Sequence, residues 1–317
     1  MIMGLKPQLP AKCCGSYKDR RVSVVKISRK TMPSVDRLKL TVLVEDSASI
    51  EKPDLIAKHG LSLLIEASVA GTYLSILMDA GPPPDMALHN AQMINADLQK
   101  LDAIIISHGH YDHVGGLLKI LERINQSIPV VAHPRTFDPK FVYKPSLKFI
   151  GSEVGLSSVS TAGGALLLSR NSVKIMNGII TSGEVVRETN FEKTEGFWTV
   201  EDGQFIEDPI LDDQALLINV REKGLVVIAG CAHSGIINTV KHAQKITEIN
   251  DVYAIIGGFH LAKADNMKIQ ASVDELMRIN PKLVYPCHCT GPKAINQFLN
   301  SFGDRCRPIH TGDIIRF

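Results

Sequence analysis

The stretch LDAIIISHGHYDHVGG, residues 101–116, decides how the chain folds. Its apolar half, Leu101–Ser107, reads as a buried strand that runs directly into His108, His110, Asp112 and His113. Imidazole and carboxylate are the donors that zinc, iron and manganese accept, and here they crowd into one short turn. His108 and His110 are two residues apart, so in extended backbone both point to the same side. Asp112 and His113 follow in the turn and face a second point. Gly109 allows a tight backbone path, and Gly115-Gly116 lets the next helix pack close to the strand.

Three more strand ends repeat the pattern. Leu225–Gly230 leads to Cys231 and His233, and Val252–Ile256 leads through Gly257-Gly258-Phe259 to His260. Lys282–Tyr285 leads to Pro286, Cys287, His288 and Cys289. The chain has 11 histidines, and His108, His110, His113, His233, His260 and His288 all sit at these four ends. Open α/β sheets gather their sites beyond the carboxyl ends of strands, so these side chains are expected to converge. His89, His133, His242 and His310 read as structural or exposed.

The surrounding pattern supplies the layers. Leu38–Val44 alternates as a strand, and His59–Glu66 with Tyr73–Met78 reads as a hairpin closed by Asp79-Ala80-Gly81 and three prolines. Helices are expected over Asp85–Leu98, Gly115–Ile124, Ile236–Ile249, Ile269–Ile279 and Pro292–Phe302. Ala215–Val220 pairs with Leu225–Ala229. Strands alternating with helices through short connections make an α/β layered fold. Residues 135–208 are less regular, an insertion of hairpins and loops suited to a lid or a homodimer surface. It carries the only tryptophan, Trp198, beside Phe197.

Bulk properties bound the function. A net charge of +2 gives no argument for nucleic acid or a membrane as partner. Ten Lys and Arg fall in residues 1–39 against Asp19 and Asp36, which reads as a basic, solvated leader over 1–37 ahead of a domain at 38–317. No run of 18 apolar residues or signal-peptide core is present in this sequence. Six cysteines in 317 residues make no disulfide framework, and a cytoplasmic setting is expected. No GxGxxG follows a strand, which argues against a nicotinamide enzyme.

The string SHGHYDHVGG, with Asp79-Ala80-Gly81 upstream and His288 between a strand and a helix, resembles the HxHxDH signature of the metallo-β-lactamase superfamily. The resemblance covers about residues 38–317 and implies an αββα sandwich with one or two divalent transition metal ions, zinc, iron or manganese. It also implies that Asp79 supports the histidine loop from behind. HGLSLLIE, HGHYDHVGG, DDQALLI, GCAHSG, GGFHL and PCHCTG together resemble one subfamily, named for a dihydropterin–aminobenzene ribose phosphate synthase of methanopterin biosynthesis. That resemblance implies a phosphorylated small-molecule substrate and alkyl transfer with loss of pyrophosphate.

Two departures from the superfamily pattern matter. Cys231 stands where a bridging aspartate is usual, with His233 two residues later. Asp212-Asp213-Gln214 stands where a third histidine is usual, so either Asp213 or His233 completes the first metal position. The expected ligands are therefore His108, His110, Asp112, His113, His233, His288 and Asp213, with Asp112 and His260 as the catalytic pair. Cys287 and Cys289 read as small buried residues, and the helix start after Gly235 as an anion site. The rivals are a hydrolase of a phosphodiester, lactone or thioester, and a non-catalytic metal or ligand sensor.

Overall fold

A computed structural model describes residues 32–143 and 145–317; the expected basic leader falls, through residue 31, outside the described residues. Two sheets face each other, with helices on both outer faces. The first sheet has seven strands, ordered Ile314–Arg316, Arg37–Val44, Ser62–Val69, Thr72–Met78, Ala103–Ile105, Ile128–Ala132 and Gly164–Leu168. The second has six, ordered Leu283–Cys287, Val252–Gly258, Gly224–Ala229, Ala215–Val220, Ile179–Thr181 and Lys174–Met176.

Side-chain alternation builds the layers. Leu38, Leu40, Val42, Leu63 and Ile65 from the first sheet meet Leu216, Ile218, Val226, Ile228 and Ile256 from the second in one buried core. Leu217, Leu225, Val227 and Ile255 point the other way, under the helices Ile236–Thr247, Asn266–Ile279 and Pro292–Phe302. On the first sheet's outer face, Leu64, Leu77 and Ile104 take Met86–Met93, Leu117–Ile124 and Leu156–Thr161. Strands covered on both faces must be apolar nearly throughout, which explains runs such as Leu225–Ala229. The order helix, sheet, sheet, helix is the αββα sandwich expected from the sequence.

Local departures have local causes. The expected helix Asp85–Leu98 stops at Met93, because Asn95 turns left-handed at φ 55°. A separate turn, Leu98–Lys100, then follows, its Gln99 amide satisfied by the Asp97 side chain. The strand read at Leu101–Ser107 pairs only over Ala103–Ile105; beyond it the Ser107 amide donates to a side chain, Asp79 Oδ1, at 2.7 Å. Within the irregular segment, Lys140–Tyr143, Leu147–Phe149, Phe197–Glu201 and Gln204–Glu207 form a small sheet of their own. The remaining strands of that segment extend an edge of each main sheet. Among the described residues no helix is long and apolar enough to cross a membrane. Val35, at the end of the expected leader, is fully buried and bonded to Asn219 and Arg221.

Candidate metal centre

The four strand ends come together at one edge of the sandwich. Five groups of three donors each have their ligand atoms within 4.8 Å of one another. Two of them share no residue and use the expected histidines: His108, His110 and His233 in one, Asp112, His113 and His288 in the other.

Asp79 fixes the loop from behind. Its Oδ2 accepts from His113 Nδ1 at 2.6 Å and from Ser107 Oγ at 2.7 Å. Since the Ser107 hydroxyl spends its proton on Asp79, it accepts from His108 Nδ1 at 2.9 Å. Both histidines are thereby left with a bare lone pair on Nε2, the form a metal ligand needs. His288 is set in the same way, its Nδ1 donating to Asp46 Oδ1 at 2.6 Å while its backbone amide donates to Glu45 Oε1 at 2.7 Å. His113 Nε2 and His288 Nε2 then face each other at 3.3 Å, close enough to share a proton or a cation. Asp112 Oδ2 lies 3.7 Å from the first nitrogen and 3.4 Å from the second. Electron-rich atoms this close are stable only with positive charge among them.

The other group carries unpaired donors. His110 Nε2 and both ring nitrogens of His233 are buried without a hydrogen-bond partner. Burial, reinforced by neighbouring histidines and Lys140, pushes the His108 and His233 imidazoles well down and His110 to about 3. All three are therefore neutral ligands at neutral pH. Burial alone would raise the Asp112 carboxyl, but His113, His288 and His110 hold it well below the usual range. His288 is held up, against its burial, by Cys289, Asp112 and Asp46. Orphaned nitrogens in one group and an acidic surround in the other both fit a cation.

Asp212-Asp213-Gln214 acts as a clip across the ligand loops. Asp212 Oδ2 accepts the amide of Gly109, between His108 and His110, at 2.7 Å. Gln214 donates to the Ile106 carbonyl through its side chain and to the Ser107 carbonyl through its backbone, at 2.9 and 3.0 Å. Asp213 Oδ2 accepts the amide of Ser234, next to His233, at 2.8 Å. Buried Lys140 pairs with Asp212 at 2.8 Å and Asp208 at 3.1 Å, balancing the clip's charge. Phe197, from the small sheet, caps the histidines: its ring lies 5.0 Å from His233, 5.5 Å from His110 and 5.8 Å from His260.

A family model described as the metallo-beta-lactamase superfamily matches residues 59–288. The chain belongs to the metallo-β-lactamase superfamily. It is 39% identical, over 89% of its length and 98% of the relative's, to the 7,8-dihydropterin-6-methyl-4-(β-D-ribofuranosyl)-aminobenzene-5′-phosphate synthase of Methanocaldococcus jannaschii. It is 33% identical to an uncharacterized protein of the same organism, over 83% of this chain and 95% of that one. Among solved structures it is similar to Tm1679, a metal-dependent hydrolase of the β-lactamase superfamily. There the TM-score is 0.74, the identity 26%, and the shares covered are 88% of this chain and 98% of that one. The chain is thus a metal-dependent enzyme of this superfamily, whose fold implies divalent metal binding.

The superfamily pattern makes the placements informative. His233 takes the place left open for a third histidine in the first group, while Asp213, expected among the ligands, belongs to none of the five groups. Its Oδ2 holds the His233 loop by the Ser234 amide, while its Oδ1 is buried without a partner. The helix start after Gly235 is closed as an anion site, because Glu192 accepts the Ile237 and Asn238 amides at 2.9 Å each. His260 stands beside His233, with ring centroids 4.2 Å apart, and its ligand atom groups with Cys231 and Cys289. Cys287 is core, but Cys289, read as a small buried residue, faces that group.

Sequence reasoning missed Asp46 and His59. His59 Nδ1 lies 2.9 Å from Asp46 Oδ2, and its Nε2 3.4 Å from Asp112 Oδ2. The hydrogen bond to Asp46 raises the His59 imidazole. Its signal was present, since HGLSLLIE was part of the subfamily resemblance, but nothing in its spacing tied it to residues 108–113.

Proposed function

We propose that the chain joins a dihydropterin bearing an activated methyl group to an aminobenzene ribose phosphate, releasing pyrophosphate. The observation that carries this reading is the 39% identity to the M. jannaschii synthase along 98% of that protein. In this reading His108, His110 and His233 hold one divalent cation and Asp112, His113 and His288 a second, with zinc, iron and manganese all compatible with nitrogen and oxygen donors. Such a pair, when bound, neutralises a phosphorylated leaving group and polarises its bond.

The chain's own residues supply the rest. Asp79, Ser107 and Asp46 fix the tautomers of His113, His108 and His288, so the donors are aligned before any substrate arrives. Asp112, ionised among histidines, orients charge at the centre rather than carrying protons. Phe197 covers the histidines and shields the site from water, which favours transfer to an amine-bearing ring over hydrolysis.

A second reading, hydrolysis of a phosphodiester, lactone or thioester, is favoured by the similarity to the hydrolase Tm1679. The test is to supply metal-loaded protein with the pterin pyrophosphate and the aminobenzene ribose phosphate together, and separately with bis-p-nitrophenyl phosphate and a lactone panel. Coupled product with equimolar pyrophosphate supports the synthase. Rapid turnover of the hydrolytic substrates without coupling supports the hydrolase.

A further inference from the structure

Beside the two histidine groups lies a third cluster, which shares only Cys231 with the neighbourhood of His108 and His113. Cys231, His260 and Cys289 come from three different strand ends, and their ligand atoms lie within 4.8 Å of one another. We propose that these three side chains form a third, thiolate-rich cation position that takes a thiophilic divalent ion such as zinc. The proposal goes beyond the reaction reading and does not require either substrate.

The three loops are locked together by backbone bonds. Gly258 donates to the Gly230 carbonyl at 2.9 Å, and Leu261 and Ala262 donate to the Cys289 carbonyl at 3.1 Å each. The Phe259 amide is held by Thr290 Oγ1 at 3.0 Å. Space for the thiols is built in: a Cβ on Gly258 would come within 2.6 Å of Cys289 Sγ and 2.8 Å of the Gly230 carbonyl. Only glycine leaves room for the sulfur there. Ala232 and His260 sit in left-handed backbone at φ 51° and 48°, a conformation that costs side-chain-bearing residues energy and is retained where placement of a group demands it.

His260 and Cys289 also have little other employment. His260 Nδ1 is buried without a partner. Cys289 Sγ makes a long contact, 3.5 Å, to the Cys231 carbonyl, and its side-chain partners are the other two members of the cluster, Cys231 and His260. His260 and Cys289 are part-exposed while Cys231 is buried, so an ion can enter from the solvent side. Two sulfurs and an imidazole make a softer set than either histidine group, which selects zinc over manganese or magnesium. Binding would release the thiol protons to solvent, with no change in oxidation state. Cys231 Sγ also lies 3.2 Å from His113 Nε2, so the position adjoins the histidine centre.

The experiment is a cobalt(II) titration of the full chain, purified anaerobically and stripped with a chelator. Metal equivalents are counted by equilibrium dialysis, and thiolate ligation is read from the near-ultraviolet charge-transfer band. The proposal expects Cys289→Ser to lose one equivalent and the thiolate charge-transfer band with it while the histidine-bound equivalents remain. Gly258→Ala, which crowds the sulfur without removing a donor, should lose the same equivalent. Unchanged equivalents and an unchanged band in Cys289→Ser would overturn it, as would peptide mapping that finds Cys231 and Cys289 joined as a disulfide in the anaerobic protein. His108→Ala separates this from the reaction reading, because it removes a histidine-bound equivalent and leaves the thiolate band in place.

Discussion

The two histidine groups hang on one six-residue loop, yet they are built on opposite electrostatic plans. His108, His110 and His233 have no carboxylate among them; they are buried and neutral, and His110 and His233 are short of hydrogen-bond partners. Asp112, His113 and His288 are backed by Asp46, Asp79 and Glu45, and His288 is held toward its charged form. In the proposed two-metal reading, the first group would gain a cation by satisfying orphaned nitrogens, the second by replacing the proton of His288. Adjacent sites on one loop can therefore differ in what competes with the metal, though their ligand types overlap.

The sharpest way to break this comparison is to remove a ligand from the first group alone. His110→Ala should lose one metal equivalent and roughly a thousandfold or more in turnover, with the Asp112 group still loaded. Loss of both equivalents together would mean the groups are one unit. Lys140→Met attacks the clip instead: Asp208 and Asp212 would be left buried without their cation, at a cost of about 3–5 kcal/mol in unfolding free energy by urea titration. A loss under 1 kcal/mol would mean that water reaches those carboxylates. Asp79→Asn keeps the shape but spoils the acceptor for His113 and Ser107. Metal affinity or turnover should fall on the order of 10–100-fold with the fold intact by circular dichroism.

The smallest effect separates the groups by pH. His110 lies at about 3, so its group binds metal without displacing a proton anywhere near neutrality. His288 is raised in the metal-free protein, so cation binding must expel its proton, and affinity at that position rises with pH while His288 is protonated. Metal titrations between pH 6 and 8 should show one class with no slope and one weakening up to about tenfold per unit on acidification. Equal slopes would remove the distinction.

Much of this centre was legible because the first loop carries its ligands at local spacing. His108, His110, Asp112 and His113 need no long-range information, and recurrence at strand ends exposed His233 and His288. Asp213 reads two ways because a carboxylate can bind a metal or hold a backbone amide; in the fold its Oδ2 takes the Ser234 amide while its Oδ1 is buried without a partner. Asp46 left no trace, and His59 only its place in HGLSLLIE, because both come from the connection between the first two strands, whose path the pattern does not fix. Cys289 was judged against its neighbour His288, while its partners Cys231 and His260 are distant in sequence. The layers themselves were readable from the succession of strands and helices, which covers the outer face of each sheet.

The central claim is that two cations are held by two separate groups, and anomalous scattering from crystals of the metal-loaded protein tests it most directly. The account predicts one peak ringed by His108, His110 and His233 and another ringed by Asp112, His113 and His288. A single peak shared by both groups, or Asp213 ligating in place of His233, would contradict it.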